Sequence, residues 1–222
     1  MDAKVYARRQ SASAGFTLLE TLVVIGVIAV ASAITIPQAI AARRVLRSAG
    51  LTQELGSALR DARQMALSRR RAITFQYDDS AKKIFIIDHG VNAQGLGNSG
   101  INVLTAGNYP FQTGSSVANT IRLTDGGLPA SEIGFGMPSG AAAIASTLGD
   151  KTTLATLTNQ KLNITFQPDG SIIDTNGLPC DFAFGVYNTV QDKETAAAIS
   201  ILGTTGRIKT WRYSVSVKKF VE

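Results

Sequence analysis

The chain has 222 residues, 45% of them hydrophobic, with a single cysteine and a single histidine. That is enough for one ordinary domain with a sizeable core plus an appendage, and it excludes a disulfide-stapled fold, because Cys180 has no intramolecular partner. The formal charge of +6 comes from an excess of seven basic groups in the first 71 residues, and the near-neutral remainder, with eleven basic against twelve acidic groups, argues against a broad nucleic-acid surface.

Residues 1–15 form a short basic leader carrying Lys4, Arg8 and Arg9. Phe16 to Ile36, FTLLETLVVIGVIAVASAITI, is an almost unbroken apolar run, about the 20 residues a helix needs to cross a bilayer core. A cleaved secretory signal fits the basic start, the apolar stretch and the small-residue pattern Ala31-Ser32-Ala33. A plain transmembrane anchor fits the length. Arg8-Arg9 suggests a twin-arginine signal, although polar residues Gln10 to Gly15 separate the pair from the apolar run. None of these readings explains Glu20, since a carboxylate at mid-membrane costs on the order of 2.5 to 3.5 kcal/mol. Such a group needs a positive partner, and the run contains none. Cleavage after Gly15 supplies one by freeing the α-amino group of Phe16, one helical turn before Glu20.

Gly15-Phe16-Thr17-Leu18-Leu19-Glu20, after a basic leader and opening an apolar helix, resembles the prepilin leader motif. The resemblance implies a membrane prepilin peptidase that cuts after Gly15 and methylates the new terminal Phe16. It also implies that Glu20 pairs with the amino terminus of a neighbouring subunit during filament assembly. Leu19 and Thr21 stand where isoleucine and leucine are more usual. Lys4, Arg8 and Arg9 on one side of the run face Arg43, Arg44 and Arg47 on the other, so the positive-inside rule does not choose an orientation. The resemblance implies a cytoplasmic leader, a single pass through the inner membrane and a periplasmic head.

Pro37 closes the apolar run and predicts a kink within a helix that continues beyond it. Leu51, Leu55, Leu59, Ala62 and Ala66 recur at three- and four-residue spacing, which predicts one apolar face laid on a sheet. Eight arginines stand between Pro37 and Arg71 and read as a solvated face or a contact with lipid head groups. Ala72–Tyr77 and Lys83–Ile87 read as a first hairpin across Asp78-Asp79-Ser80-Ala81-Lys82. From Gly90 to Leu157 the composition predicts loop with short strands at Ile121–Leu123 and Glu132–Phe135. Lys161–Gln167, Pro168-Asp169-Gly170 and Ser171–Ile173 read as a hairpin, as do Ala198–Leu202, Gly203-Thr204-Thr205-Gly206 and Arg207–Val217.

The fold class expected is therefore α+β and pilin-like, a long amino-terminal helix packed on an antiparallel sheet. Its divisions are leader 1–15, transmembrane helix 16–37, amphipathic extension 38–71 and β-rich head 72–222. The chain resembles the GspH/FimT family through its leader and helix, the helix Leu51–Ser68 running into Ala72-Ile73-Thr74-Phe75, the Phe166-Gln167-Pro168-Asp169-Gly170 turn and the Thr205-Gly206-Arg207 turn. That implies a minor pseudopilin of a type II secretion system or, alternatively, a type IV minor pilin that binds DNA during natural transformation, with other pilin-like subunits as partners.

Arg207, Lys209, Trp211 and Tyr213 alternate and share one face of a strand, with Arg212 on the other. Basic groups interleaved with aromatics suit nucleic acid, and the resemblance implies a DNA-binding turn at Gly206-Arg207-Ile208-Lys209. The plainer reading is a charged edge strand with Trp211 half-buried. Other chemistry is sparse. His89 reads as a loop histidine, Cys180 as a small buried residue, Asp78-Asp79 as turn formers and Gly90–Gly100 as a loop without the ending of a phosphate-binding motif. No metal site and no cofactor are expected, and no enzyme, since any histidine-dependent device has to pass through His89.

Overall fold

The computed structural model describes residues 16–90, 114–140, 153–174 and 176–222. The leader with Gly15, and most of the glycine-rich stretch read as loop, lie outside the described residues. Helix α1 (Leu18–Arg69) carries the apolar run and the arginine-rich stretch, with Pro37 inside it. The chain forms two compact units, Met1–Ala41 and Ala42–Glu222. In the first, large apolar side chains such as Leu18, Leu22, Ile25 and Ile28 are exposed, and among the described residues α1 alone is long and apolar enough to cross a membrane.

The second unit is the head. Its part of α1 buries Leu51, Leu55, Ala58, Leu59, Ala62 and Ala66, the face that the heptad-like spacing marks. A four-stranded antiparallel sheet comprises β1 (Ile73–Asp78), β2 (Lys83–Asp88), β3 (Ser116–Arg122) and β6 (Lys161–Phe166), in the order β3-β2-β1-β6. The second sheet runs β10 (Lys219–Val221), β9 (Arg207–Ser214), β8 (Ala197–Leu202), β7 (Phe182–Asn188) and β4 (Ile133–Phe135), with β5 (Thr153–Leu154) parallel to β7. A one-turn helix α2 (Asp192–Thr195) precedes β8. The expected α+β arrangement of a long helix on antiparallel sheet is present, with the head's strands divided between two sheets instead of one. Both face a common core, where Leu55 and Leu59 meet Phe75, Ile84 and Ile86 of the first sheet and Phe184 and Ile199 of the second. Phe135 stacks on Tyr77 at 5.4 Å and on Phe184 at 5.9 Å, so one ring joins the two sheets.

The arginines correct a second expectation. Arg44 pairs with Glu132 at 3.2 Å, Arg47 donates to the Gly127 carbonyl at 2.8 Å, Arg63 donates to the Thr205 carbonyl at 2.8 Å, and Arg69 and Arg71 converge on Asp88 at 2.7 and 3.5 Å. Four arginines of α1, with Arg71 just beyond its end, therefore bind groups of their own head, although Arg47 and Arg69 also stay exposed to solvent. A guanidinium suits this work because its planar fork reaches carbonyl and carboxylate groups at fixed geometry.

Three smaller readings also change. The Pro168-Asp169-Gly170 turn closes as expected, with Gly170 N–H donating to Gln167 O and Gln167 N–H to Ser171 O, both at 2.8 Å, but the pairing goes no further: β6 pairs with β1, and Ile172 N–H donates to Gly203 O at 2.8 Å. The strand at the carboxyl terminus stops at Ser214 and is covered by β10, so it is not an edge. His89 is fully buried: its Nε2 lies 2.7 Å from Thr74 Oγ1 and its Nδ1 3.0 Å from Ser115 Oγ.

Candidate functional site

The strand β9 is held between β8 and β10, and the pleat sends alternate side chains to opposite sides. Ile208 and Thr210 turn toward α1, where the Thr210 methyl approaches Gly56. Arg212 shares that side and lines a cleft with Val45, Ala49 and Glu194. Arg207, Lys209 and Trp211 line a different, shallow cavity together with Asp181 and Ser200. The structure therefore brings Arg207, Lys209 and Trp211 together and places Arg212 on the other side of the strand, where only Trp211 of the three also borders its cleft.

That face is already partly satisfied within the chain. Lys209 Nζ pairs with Glu222 at 2.6 Å and sits 5.1 Å from the centre of the Trp211 ring. The Trp211 indole N–H donates to Ser200 Oγ at 2.7 Å, and the ring packs with Ala198, Tyr213 and Phe220. Arg207 is exposed and, among the described residues, in no ion pair. Asp181 and Glu222 bring acidic charge to the same neighbourhood, which is poor preparation for a phosphate backbone.

The adjoining turn has a packing role. Gly206 has φ +62°, and a Cβ there would lie 1.9 Å from the Gly170 carbonyl, so only glycine fits. The Gly203–Gly206 turn thus rests directly on the Pro168-Asp169-Gly170 turn, and Arg63 locks them by its bond to Thr205. These two turns, far apart in sequence, are one joint.

At the other end of the chain, Thr17 caps α1. Its Oγ1 accepts the Glu20 N–H at 3.2 Å, and Thr21 Oγ1 donates to the Leu18 carbonyl at 2.9 Å. Thr17-Leu18-Leu19-Glu20 has the spacing of a capping box, a signal present in the sequence that the reading of Glu20 as an unpartnered charge passed over. Glu20 stands in the first turn, where the amino-terminal end of the helix dipole favours a carboxylate. Phe16 is 77% exposed. An exposed apolar residue, a capping threonine and a first-turn carboxylate thus open a helix long enough to span a membrane.

Residues 10–36 match the prokaryotic N-terminal methylation motif. The chain is prepilin-like at its amino terminus, and the methylation motif covers Gly15, Phe16, Glu20 and the whole apolar run. The match comprises residues on both sides of the Gly15–Phe16 bond and ends before Pro37. Among curated proteins none matches the chain. Among solved structures the chain is similar to the type IV minor pilin FimU of Pseudomonas aeruginosa, with 19% identity over 72% of this chain and 84% of that one, at a TM-score of 0.40.

Elsewhere in the head, the ionisable groups singled out from the sequence have structural partners. Asp78 is pushed up by burial but held below the usual carboxylate range by Ser80, Ala81 and Lys161, as a turn former is. Asp79 pairs with Lys82 at 2.6 Å. Cys180 is half-buried, and burial pushes its thiol up, away from the reactive thiolate.

Proposed function

We propose that the protein is a minor pseudopilin: a structural subunit, cleaved after Gly15 and methylated on Phe16 by a prepilin peptidase. It is held in the inner membrane by its apolar helix, with its head in the periplasm, and drawn into a short type II secretion filament through Glu20. Its mechanism is assembly with other pilin-like subunits, without catalysis or cofactor. The observation that carries this reading is the methylation motif opening a membrane-length helix with a carboxylate in its first turn. A carboxylate there is costly in lipid unless it meets a positive charge, and a neighbour's new amino terminus supplies one. The contacts within the head fit a folded body on the same chain: four arginines and an apolar face fix the part of α1 beyond Ala42 to the two sheets and their loops.

A second reading, a type IV minor pilin that captures DNA, rests on the exposed Arg207 beside Lys209 and Trp211. The pairing of Lys209 with Glu222 and the presence of Asp181 favour the secretion reading over it. Glu20→Gln tests the assembly mechanism, because glutamine also serves at the third position of a capping box and so preserves the helix start while removing the charge. The variant should be processed and membrane-inserted but absent from the sheared filament fraction. Normal incorporation of the variant would sink the role given to Glu20.

A further inference from the structure

The hairpin of β9 and β10 closes through Val215-Ser216-Val217-Lys218, and the assembly reading leaves this tip unused. Val215 and Val217 are 49% and 59% exposed. Lys218 and Lys219 are exposed and, among the described residues, in no ion pair. Of the nearby acids, Glu222 is taken by Lys209, and Glu194 lines the cleft that holds Arg212.

The place of the tip in the head gives this composition a meaning. Val215 and Arg212 line one cleft with Val45 of α1, and the head begins at Ala42. The opposite end of β9 follows Thr205, whose carbonyl is bound by Arg63, eighteen helical residues beyond Val45 and so about 27 Å along the axis. The tip is therefore at the end of the head where the chain enters. Only six residue steps separate Ala42 from Ile36, the last residue of the apolar run, which is at most about 20 Å of chain whatever its course.

We propose that the β9–β10 tip docks on anionic phospholipid head groups of the membrane that anchors the chain. The inference rests on the anchored reading above. Lys218 and Lys219 keep their ammonium groups among the phosphates while their stems and the two valines enter the interface. An anionic leaflet attracts such residues, and the span tethers the tip at high effective concentration, so that a weak contact suffices. A protein partner demands more, since a stable interface buries about 800 Å² on each side. Docking would hold the head down in the unassembled subunit and release it on extraction into the filament.

The full chain, with Cys180→Ser, tests this when a fluorophore is attached at Ser216→Cys and, as a distal control, at Thr204→Cys. Both are exposed turn residues, so labelling leaves the core alone. The protein is reconstituted into phosphatidylcholine vesicles with or without phosphatidylglycerol, each containing a lipid-borne quencher. Quenching at 216 and none at 204 is expected with phosphatidylglycerol. Replacing both lysines by glutamine should cut the docked-to-free ratio about thirtyfold. A label at 216 as unquenched as that at 204, in protein that floats with the vesicles, overturns the docking alone. Quenching that is indifferent to lipid charge and grows with protein density marks contact between copies and also overturns it. Protein that does not float with the vesicles overturns the anchored reading and the docking with it.

Discussion

Glu20 is placed by Thr17, and the two contributions can be separated. Thr17→Ala removes the oxygen that accepts the Glu20 amide and should weaken the first turn by about 1 kcal/mol, seen as faster hydrogen exchange at Glu20 in micelles, while filament incorporation persists. Gly206 makes a harsher demand: an alanine Cβ would strike the Gly170 carbonyl and occupy a left-handed backbone. Gly206→Ala should cost roughly 3 kcal/mol or more in urea denaturation. An unchanged midpoint would show that the two turns do not form the joint described. His89 sets a pH dependence. Burial lowers its proton affinity below the ordinary value of 6.5, against the opposing pull of Asp88. The unfolded chain therefore takes up a proton that the folded head refuses, so stability is complete above 6.5 and falls as the pH drops below it. The slope is at most about 1.4 kcal/mol per pH unit, and His89→Gln should flatten it. Asp88 acts in a lower window. Burial would raise it, but Gly90, Arg69 and Arg71 outweigh burial and hold it below 3.8. Its contribution is present above that value and lost as the pH falls through the lower folded one.

Between elements, the contact of α1 with both sheets carries the head. Leu59 is fully buried and Leu46 is 72% exposed. Leu59→Ala should cost about 3 kcal/mol and Leu46→Ala less than about 0.5 kcal/mol, measured as shifts in the urea midpoint of the solubilised chain. Which of these elements could be read from sequence follows from their periodicity. The helix face was legible because its apolar residues keep helical spacing, and the β1–β2 hairpin because Asp78 to Lys82 gives a turn between two apolar runs. The strand β7 was not legible. Its Ala183 packs on one cluster and its Phe184 and Val186 on the other, so both faces are covered and Phe-Ala-Phe-Gly-Val-Tyr shows no alternation. Up to Ser171 the turn chemistry was readable, but the next partner, Gly203 for Ile172, lies too far along the chain to be. The arginines defeated a charge-pattern reading for the same reason, since Gly127, Glu132, Asp88 and Thr205 become their partners only in the fold.

At the scale of the whole molecule, the excess of basic charge lies in the leader and helix while residues 72–222 are close to neutral, and within the head the arginine-rich helix spends much of its charge on internal contacts. The face of Arg207, Lys209 and Trp211 should accordingly bind duplex DNA weakly at low salt and lose binding steeply as salt rises. Tight binding that Arg207→Ala abolishes, with assembly intact, would instead establish the DNA-capturing reading. Processing at the amino terminus does not depend on which machine the filament serves. Intact-mass and amino-terminal analysis of the membrane-extracted protein, beside the same protein carrying Gly15→Leu, tests it most directly. A mature chain beginning at methylated Phe16, and seen only when Gly15 is intact, is the result expected. A chain beginning after Ala33 would make this a secreted soluble protein and contradict both the filament assignment and the part given to Glu20.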